Sequence, residues 1–444
     1  MTDVIVIGGG FAGLSAATAL ADQGWTSVHL FEARPTLGGR ATAFRDPLTG
    51  ERIDNGHHVL AGCYVETLAF LQRVGTFDKL HWPSALRLPM VDERGRRSML
   101  ALPPLPAPLH LIGGVLAWDA LSLAERWSVL RVGGALRGRW HVASDMTVHQ
   151  WLRGQGQSAR LCEMLWAPLA LAALNQSIDV AAAPAFLAVL SRMFGSEPDA
   201  STLLMSAVPL DELAATPAES FLRSAGSSVT INAPARLAFE GERLRGVMVR
   251  EEFHPARVVV AAVPWFGVSS LFDHVPPALT EIVSNASRME SSPIVTVNLW
   301  FERAVNLDEF VLGLPSRTFQ WVFDKQRLVG SSQSHLSMVA SGADEICAAS
   351  NAEAIKTALD ELIAALPAIR HVPLRHAVVV RERRATFSLR PGGPSRPATL
   401  TPVPGLILAG DWIDTGLPAT IESAVVSGHR AAAAASEFLD ACSQ

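Results

Sequence analysis

Gly8, Gly10 and Gly13 close an apolar run, Asp3-Val4-Ile5-Val6-Ile7, and an acid, Glu32, ends the next such run, Ser27 to Phe31. That spacing suits dinucleotide chemistry. A buried parallel strand ends at Ile7 and Gly8 makes a tight turn. Gly10 has no side chain to hold a pyrophosphate off the backbone, and Gly13 lets the following helix pack close against the strand. That helix, expected from Gly10 to about Ala21, opens through Phe11 and Ala12 and points its amides and positive dipole end at the phosphates. The Glu32 carboxylate can accept from both ribose hydroxyls and would repel a 2′-phosphate, with Ala33 and Arg34 at the same strand end. NAD and FAD both satisfy this reading; NADP is disfavoured.

A second glycine turn, Gly38-Gly39, carries a guanidinium on Arg40. Near the C-terminus the apolar run Gly405 to Ala409 meets Gly410-Asp411, and a helix is expected from about Ala419 through Thr420, Ile421 and Glu422. An FAD molecule is long, and its flavin half needs a contact region remote from the first turn. Asp411, at a strand end, can bind a ribityl hydroxyl, while the helix start offers amides to the electron-rich N1–C2=O edge. The two regions together select FAD.

Five further segments carry a resemblance: Ile53 to His58, Leu169 to Asn175, Thr296 to Phe301, Gln320 to Asp324 and Gly410 to Glu422. With the glycine turns they resemble the flavin amine oxidase and phytoene desaturase superfamily. Within it they are similar to the bacterial hydroxysqualene dehydroxylases, also called squalene-associated FAD-dependent desaturases. The resemblance implies an α/β plus α+β architecture, in which a discontinuous Rossmann-type FAD-binding domain holds an inserted substrate-binding domain of mixed sheet and helices. It places Ala235 beside the adenine, and Gly56, His57 and His58 beside the isoalloxazine. The implied reaction is reductive dehydroxylation of hydroxysqualene, a C30 isoprenoid, to squalene, in squalene and hopanoid biosynthesis. A proton donor turns the hydroxyl into water, and reduced flavin supplies hydride to the allylic cation; the electron donor is not legible. Three alternatives stand beside it: a carotenoid-type desaturase, an amine oxidase and a non-enzymatic isoprenoid-binding flavoprotein. Against the amine oxidase, Ser291-Ser292-Pro293-Ile294 occupies the stretch where that family usually carries a strand lysine, and Tyr64 is the sole tyrosine for an aromatic cage.

No catalytic triad is visible, as expected where a cofactor carries the chemistry. His58 is the first candidate for the proton donor and His57 the second, and consecutive side chains on an extended segment point in opposite directions. Asp414 is a further possible acid, or else a turn-stabilising carboxylate. Asn175 and Gln176 could bind a substrate hydroxyl or cap the local turn. Trp166, Trp300 and Trp321 are candidates to line the substrate cavity, where aromatic faces would favour a buried cation.

The elements that must position these residues follow from chain length and order. At 444 residues the chain exceeds what one core usually supports. The chain is 49% apolar and 18% charged, which suits large buried sheets and an apolar cavity, and a net charge of −5 gives no case for nucleic acid. Cys63, Cys162, Cys347 and Cys442 show no metal-ligand spacing, so neither metal nor disulfide is expected. The first strand starts almost at Met1, leaving no room for a signal peptide. The expected interleaving is FAD-binding at 1–75, 219–290 and 385–444, with the substrate domain at 76–218 (helix-rich) and 291–384 (sheet plus helix). Asn351 to Leu366 should be an amphipathic helix, and Arg381 to Leu389 should pass back toward the FAD domain.

A peripheral membrane contact is expected over 99–140. Pro103, Pro104, Pro106 and Pro108 forbid a continuous helix from Met99 to Trp118. Ser122 and Glu125 then form a capping box before a helix bearing Trp127, Leu130, Arg126, Arg131, Arg137, Arg139 and Trp140. A basic, tryptophan-bearing helix after an apolar stretch suits an anionic bilayer surface, and the isoprenoid would dissolve there. The expected location is therefore cytoplasmic, at the inner face of the cell membrane.

Overall fold

The computed structural model describes residues 2–83, 85–105, 109–137, 142–194 and 198–442. The expectations for Pro106, Pro108, Arg139, Trp140 and the Arg137 side chain lie outside what is described.

Two seven-stranded sheets organise the chain. In the first, Ser228–Thr230, Val28–Phe31, Thr2–Ile7, Glu252–Ala261 and Leu406–Leu408 run parallel. Ala235–Glu240 and Arg243–Val249 extend it as an antiparallel hairpin on the first half of Glu252–Ala261. Its central strands are apolar on both sides, as a sheet covered on both faces requires. Val4, Val6, Val258 and Val260 pack on the helices Phe11–Asp22 and Ile421–Ala441, and Ile5, Ile7, Val259 and Ala261 face the opposite core.

Two glycines set how closely these parts approach. A Cβ at Gly13 would lie 1.9 Å from the Gly8 carbonyl oxygen, so only glycine lets the helix sit on the turn. A Cβ at Gly428 would lie 2.0 Å from Ser15 Oγ, where Ile421–Ala441 crosses Phe11–Asp22. The first was expected from the sequence; Gly428, inside an unremarkable helix, was not.

The second sheet has the order Leu374–Phe387, Ser291–Phe301, Ser334–Ser341, Trp321–Asp324, Val311–Gly313, Arg87–Val91, Arg97–Ala101. All neighbours are antiparallel except Val311–Gly313 with Arg87–Val91. Val295, Val297, Leu299 and Phe301 turn to the helix Asn351–Ala365. That helix buries Ala354, Ala358, Leu362 and Ala365, while Ile355, Leu359 and Leu366 pack at the margin. The small side chains let helix and sheet approach closely.

Residues 76–218, expected to be helix-rich, also carry the hairpin Arg87–Val91/Arg97–Ala101, which joins the second sheet. Met99 lies in the strand Arg97–Ala101, and Leu100 is core. Arg381 to Leu389 does pass back toward the FAD side: Leu374–Phe387 is the edge strand of the second sheet, and Phe387 at its end packs in the core of the first. Arg381, Glu382, Arg383 and Arg384 hide its alternation; charges on an edge strand are a common device against further pairing.

Candidate active site

One cavity of about 1670 Å³ is lined from both sheets and the helices around them. Ligand pockets usually measure about 300–1,000 Å³, so there is room here for a dinucleotide and a long apolar chain together. At one end the wall comprises Gly8, Gly10, Phe11, Ala12, Glu32, Ala33, Arg34, Gly39, Arg40 and Ala235. Gly13 stands behind it as packing. Gly56, His57, His58, Gly410, Asp411, Thr420 and Ile421 follow. The far part is hydrocarbon: Leu88, Met90, Val115, Leu169, Ile294 and Val339 are examples.

The nucleotide end fits FAD on its own geometry. Gly10 caps the helix Phe11–Asp22 with no side chain, and no acid stands in the first turn, so the leading amides are left for an anion. A Cβ at Gly10 would meet only the Gly39 Cα, at 3.8 Å; otherwise it would project into the groove. Glu32 is buried and holds the turn: Oε2 accepts from the Gly9 amide at 2.6 Å and Oε1 from the Arg34 amide at 2.8 Å. Arg40 donates to Asp411 Oδ1 at 2.5 Å and to the Ala385 carbonyl at 2.9 Å, tying the second glycine turn to the C-terminal acid. Thr420 caps the helix Ile421–Ala441 by accepting from the Ser423 amide. Buried Glu422 instead accepts from the amides of Glu66 and Thr67, fixing that helix start against the helix Val65–Arg73.

Both His57 and His58 line the cavity. They can do so because residues 55–58 bend between the strands Arg52–Asp54 and Val59–Ala61, so strand alternation does not apply. The His57 ring stacks on Phe323 at 3.8 Å between centroids. Burial pushes its imidazole well below the usual range, and the nearby Lys325 and His58 push the same way. His58 is also lowered by burial; the Asp54 carboxylate opposes that and the Arg40 guanidinium adds to it.

Sequence reasoning missed the ion pair beneath these histidines. Lys325 Nζ lies 3.1 Å from Asp54 Oδ2, with side chains 5% and 11% exposed. Asp54 Oδ1 also accepts from the Leu210 amide at 2.9 Å. Each partner adjoins a motif that was read, but the two are 271 residues apart, beyond any local spacing. Tyr64, hydrogen-bonded to Thr420, lines the cavity as well, with burial raising its phenol.

Four expected site residues lie elsewhere or are committed. Asp414 is exposed, and its carboxylate accepts from the Gly416 amide; it stabilises a turn. Trp300 is buried away from the cavity, with its indole N–H donating to Glu51 at 2.8 Å and its ring stacked on His335. Burial would raise the Glu51 carboxyl, but hydrogen bonds from His335, Ser331 and Trp300 outweigh it and hold it at about 2. Asn175 borders the cavity as a left-handed helix cap, its amide spent on Ser292, Thr386 and Gly342. Gln176 is likewise bonded to Ser388 and Leu389. Trp166 and Trp321 do line the cavity. Among the described residues no cluster of His, Cys, Asp and Glu could hold a metal ion.

Residues 11–436 match the family of flavin-containing amine oxidoreductases. The chain belongs to that family and is an FAD-dependent oxidoreductase with its mixed-sheet fold. It is 30% identical over 441 residues to a hydroxysqualene dehydroxylase of Rhodopseudomonas palustris, covering 97% of each chain. It is 26% identical over 455 residues to a 15-cis-phytoene desaturase of an Oncidium hybrid cultivar, covering 97% of this chain and 77% of the relative. A double mutant of putrescine oxidase, 19% identical, superposes with a TM-score of 0.76 over 98% of this chain and 99% of its own, a likeness of fold.

Proposed function

We propose that the protein reductively removes the hydroxyl of hydroxysqualene, yielding squalene. The carrying observation is the cavity itself: a nucleotide groove continues into a hydrocarbon space whose junction holds two imidazoles. The similarity to hydroxysqualene dehydroxylases supports the substrate choice.

Reduced FAD supplies the hydride; the chain's residues do the rest. An unprotonated C–OH is a poor leaving group, and His58 holds the proton that converts it to water. The aliphatic wall keeps bulk water from the allylic cation. The faces of Trp166 and Trp321 can stabilise that cation by about 2 kcal/mol each when desolvated. A 26% identical phytoene desaturase favours a second reading, in which the same cavity takes a hydrocarbon and the flavin is reduced. The two separate in one experiment. Chemically reduced enzyme mixed anaerobically with hydroxysqualene should reoxidise and yield one squalene per flavin. Inertness there, with phytoene or squalene oxidised by the oxidised form, gives the assignment to desaturation.

The helices Leu109–Ala117 and Leu123–Arg137 wall the apolar end through Leu111, Val115, Val129 and Leu130. Leu105, Leu109, Leu123 and Trp127 project outward from the same region, the last two 70% and 60% exposed. The Ser122–Glu125 capping box is formed, while Arg126 is pinned to the carbonyls of Leu116 and Leu121 and adds little to a basic face. Among the described residues no helix is long and apolar enough to span a bilayer. We take this surface as a monotopic contact. Leu123→Ser with Trp127→Ser should cut co-sedimentation with anionic liposomes about tenfold while leaving the flavin spectrum unchanged; equal sedimentation would refute the contact.

A further inference from the structure

Buried polar side-chain atoms are almost always hydrogen-bonded. Among the described residues eleven are not, and two of them, His57 Nε2 and Trp321 Nε1, belong to side chains that line the cavity. The sheet register explains the grouping. Thr296, Val339 and Trp321 form one cross-strand row, and Asn298, Ser337 and Phe323 form the next. Residues opposite one another in an antiparallel ladder share a face, as do positions two apart on one strand. Trp321 and Phe323 thus stand side by side on the face toward the cavity, and the stack on Phe323 brings His57 to them.

Leaving such atoms unpaired costs roughly 1–3 kcal/mol each, and a purely hydrocarbon ligand would leave them so. Around Trp321 the wall is mostly aliphatic, with Ile294, Val311 and Val339, and Ser341 is the hydroxyl next to them. We propose that His57 Nε2 and Trp321 Nε1 form the oxygen-recognition site of the cavity, holding the one hydroxyl of an otherwise hydrocarbon ligand. The indole N–H donates to the oxygen, and the neutral imidazole nitrogen accepts the hydroxyl proton or, as its other tautomer, donates. His57 and Trp321 are specificity residues here, distinct from His58, which supplies the leaving proton. The site rests on the proposed isoprenoid alcohol substrate, and it gives a physical reason for choosing an alcohol over a hydrocarbon.

The test is binding to the oxidised, FAD-loaded protein, which needs no turnover. Hydroxysqualene and squalene are titrated in the same detergent, with tryptophan quenching as the signal. The parent should prefer hydroxysqualene. Trp321→Phe and His57→Phe, which keep aromatic volume and delete the nitrogen, should each lower that preference about tenfold, with squalene affinity unchanged. Preference retained in both variants overturns the site, and so does equal loss for both lipids. So does a lipid-free His57→Phe whose flavin spectrum is altered while its preference is intact. If the variants lose the preference but the reduced parent does not convert hydroxysqualene, the site stands and the proposed reaction falls; conversion with preference unmoved gives the reverse.

Discussion

Replacing Lys325 by methionine is expected to cost the fold about 3–5 kcal/mol at neutral pH, because it strands a buried carboxylate. Asp54 is 11% exposed, and without the ammonium at 3.1 Å its charge keeps only the Leu210 amide. Methionine matches the lysine stem closely enough that lost packing adds little. Denaturant titration should show a lower midpoint with an unchanged slope. Asp54→Asn alone should also destabilise, by leaving the cation unpaired. The double variant should recover most of the loss, since deleting both partners of a buried pair is often near neutral. Strictly additive losses would mean that the two charges do not share one desolvated site.

His58→Ala should retain FAD yet slow hydroxysqualene reduction by about 100-fold, at the low end of what a positioned proton donor contributes. The pH profile separates this from mere structural damage. Burial lowers the His58 imidazole, Asp54 pulls it up and Arg40 pushes it further down. Above that lowered value the imidazolium population falls about tenfold per pH unit, so the parent rate should rise as pH drops from 8 toward 6. The variant should lose that slope. Stability runs the other way. His57 and His58 have folded values below the unfolded 6.5, so their contribution is whole above 6.5 and is lost as pH falls toward the folded values. Acid therefore favours turnover and weakens the fold within the same window. A variant with the parent's rate and slope would remove His58 from the chemistry.

The parts of the site legible in the sequence were those built from neighbours in the chain. The turn at Gly8–Gly13 and the acid at Glu32 are local devices, and their spacing carries their geometry. Periodicity also gave the Ser291–Phe301 faces, with Val295, Val297 and Leu299 on the helix side. It could not say which polar residue on the other face reaches the cavity. Trp300 and Trp321 look alike in sequence, but only the register of three strands puts one beside Glu51 and the other with Phe323 on the cavity wall. For Asn175 the sequence left binding and capping open, and the structure shows the cap, because its partners at Ser292, Gly342 and Thr386 come from remote segments. The Arg87–Val91/Arg97–Ala101 hairpin pairs locally, and only its place in the second sheet, beside Val311–Gly313, rests on a remote pairing.

The first sheet takes its strands from both ends of the chain: Thr2–Ile7 and Val28–Phe31 at the start, Leu406–Leu408 near the finish. During synthesis the glycine turn emerges from the ribosome long before Asp411 and the helix that crosses Ser15 at Gly428. A nascent chain interrupted anywhere before them carries the phosphate half of the groove and lacks the flavin half. The groove is thus whole only once Asp411 and that helix have been made, so flavin retention reports on the joining of two remote stretches of chain.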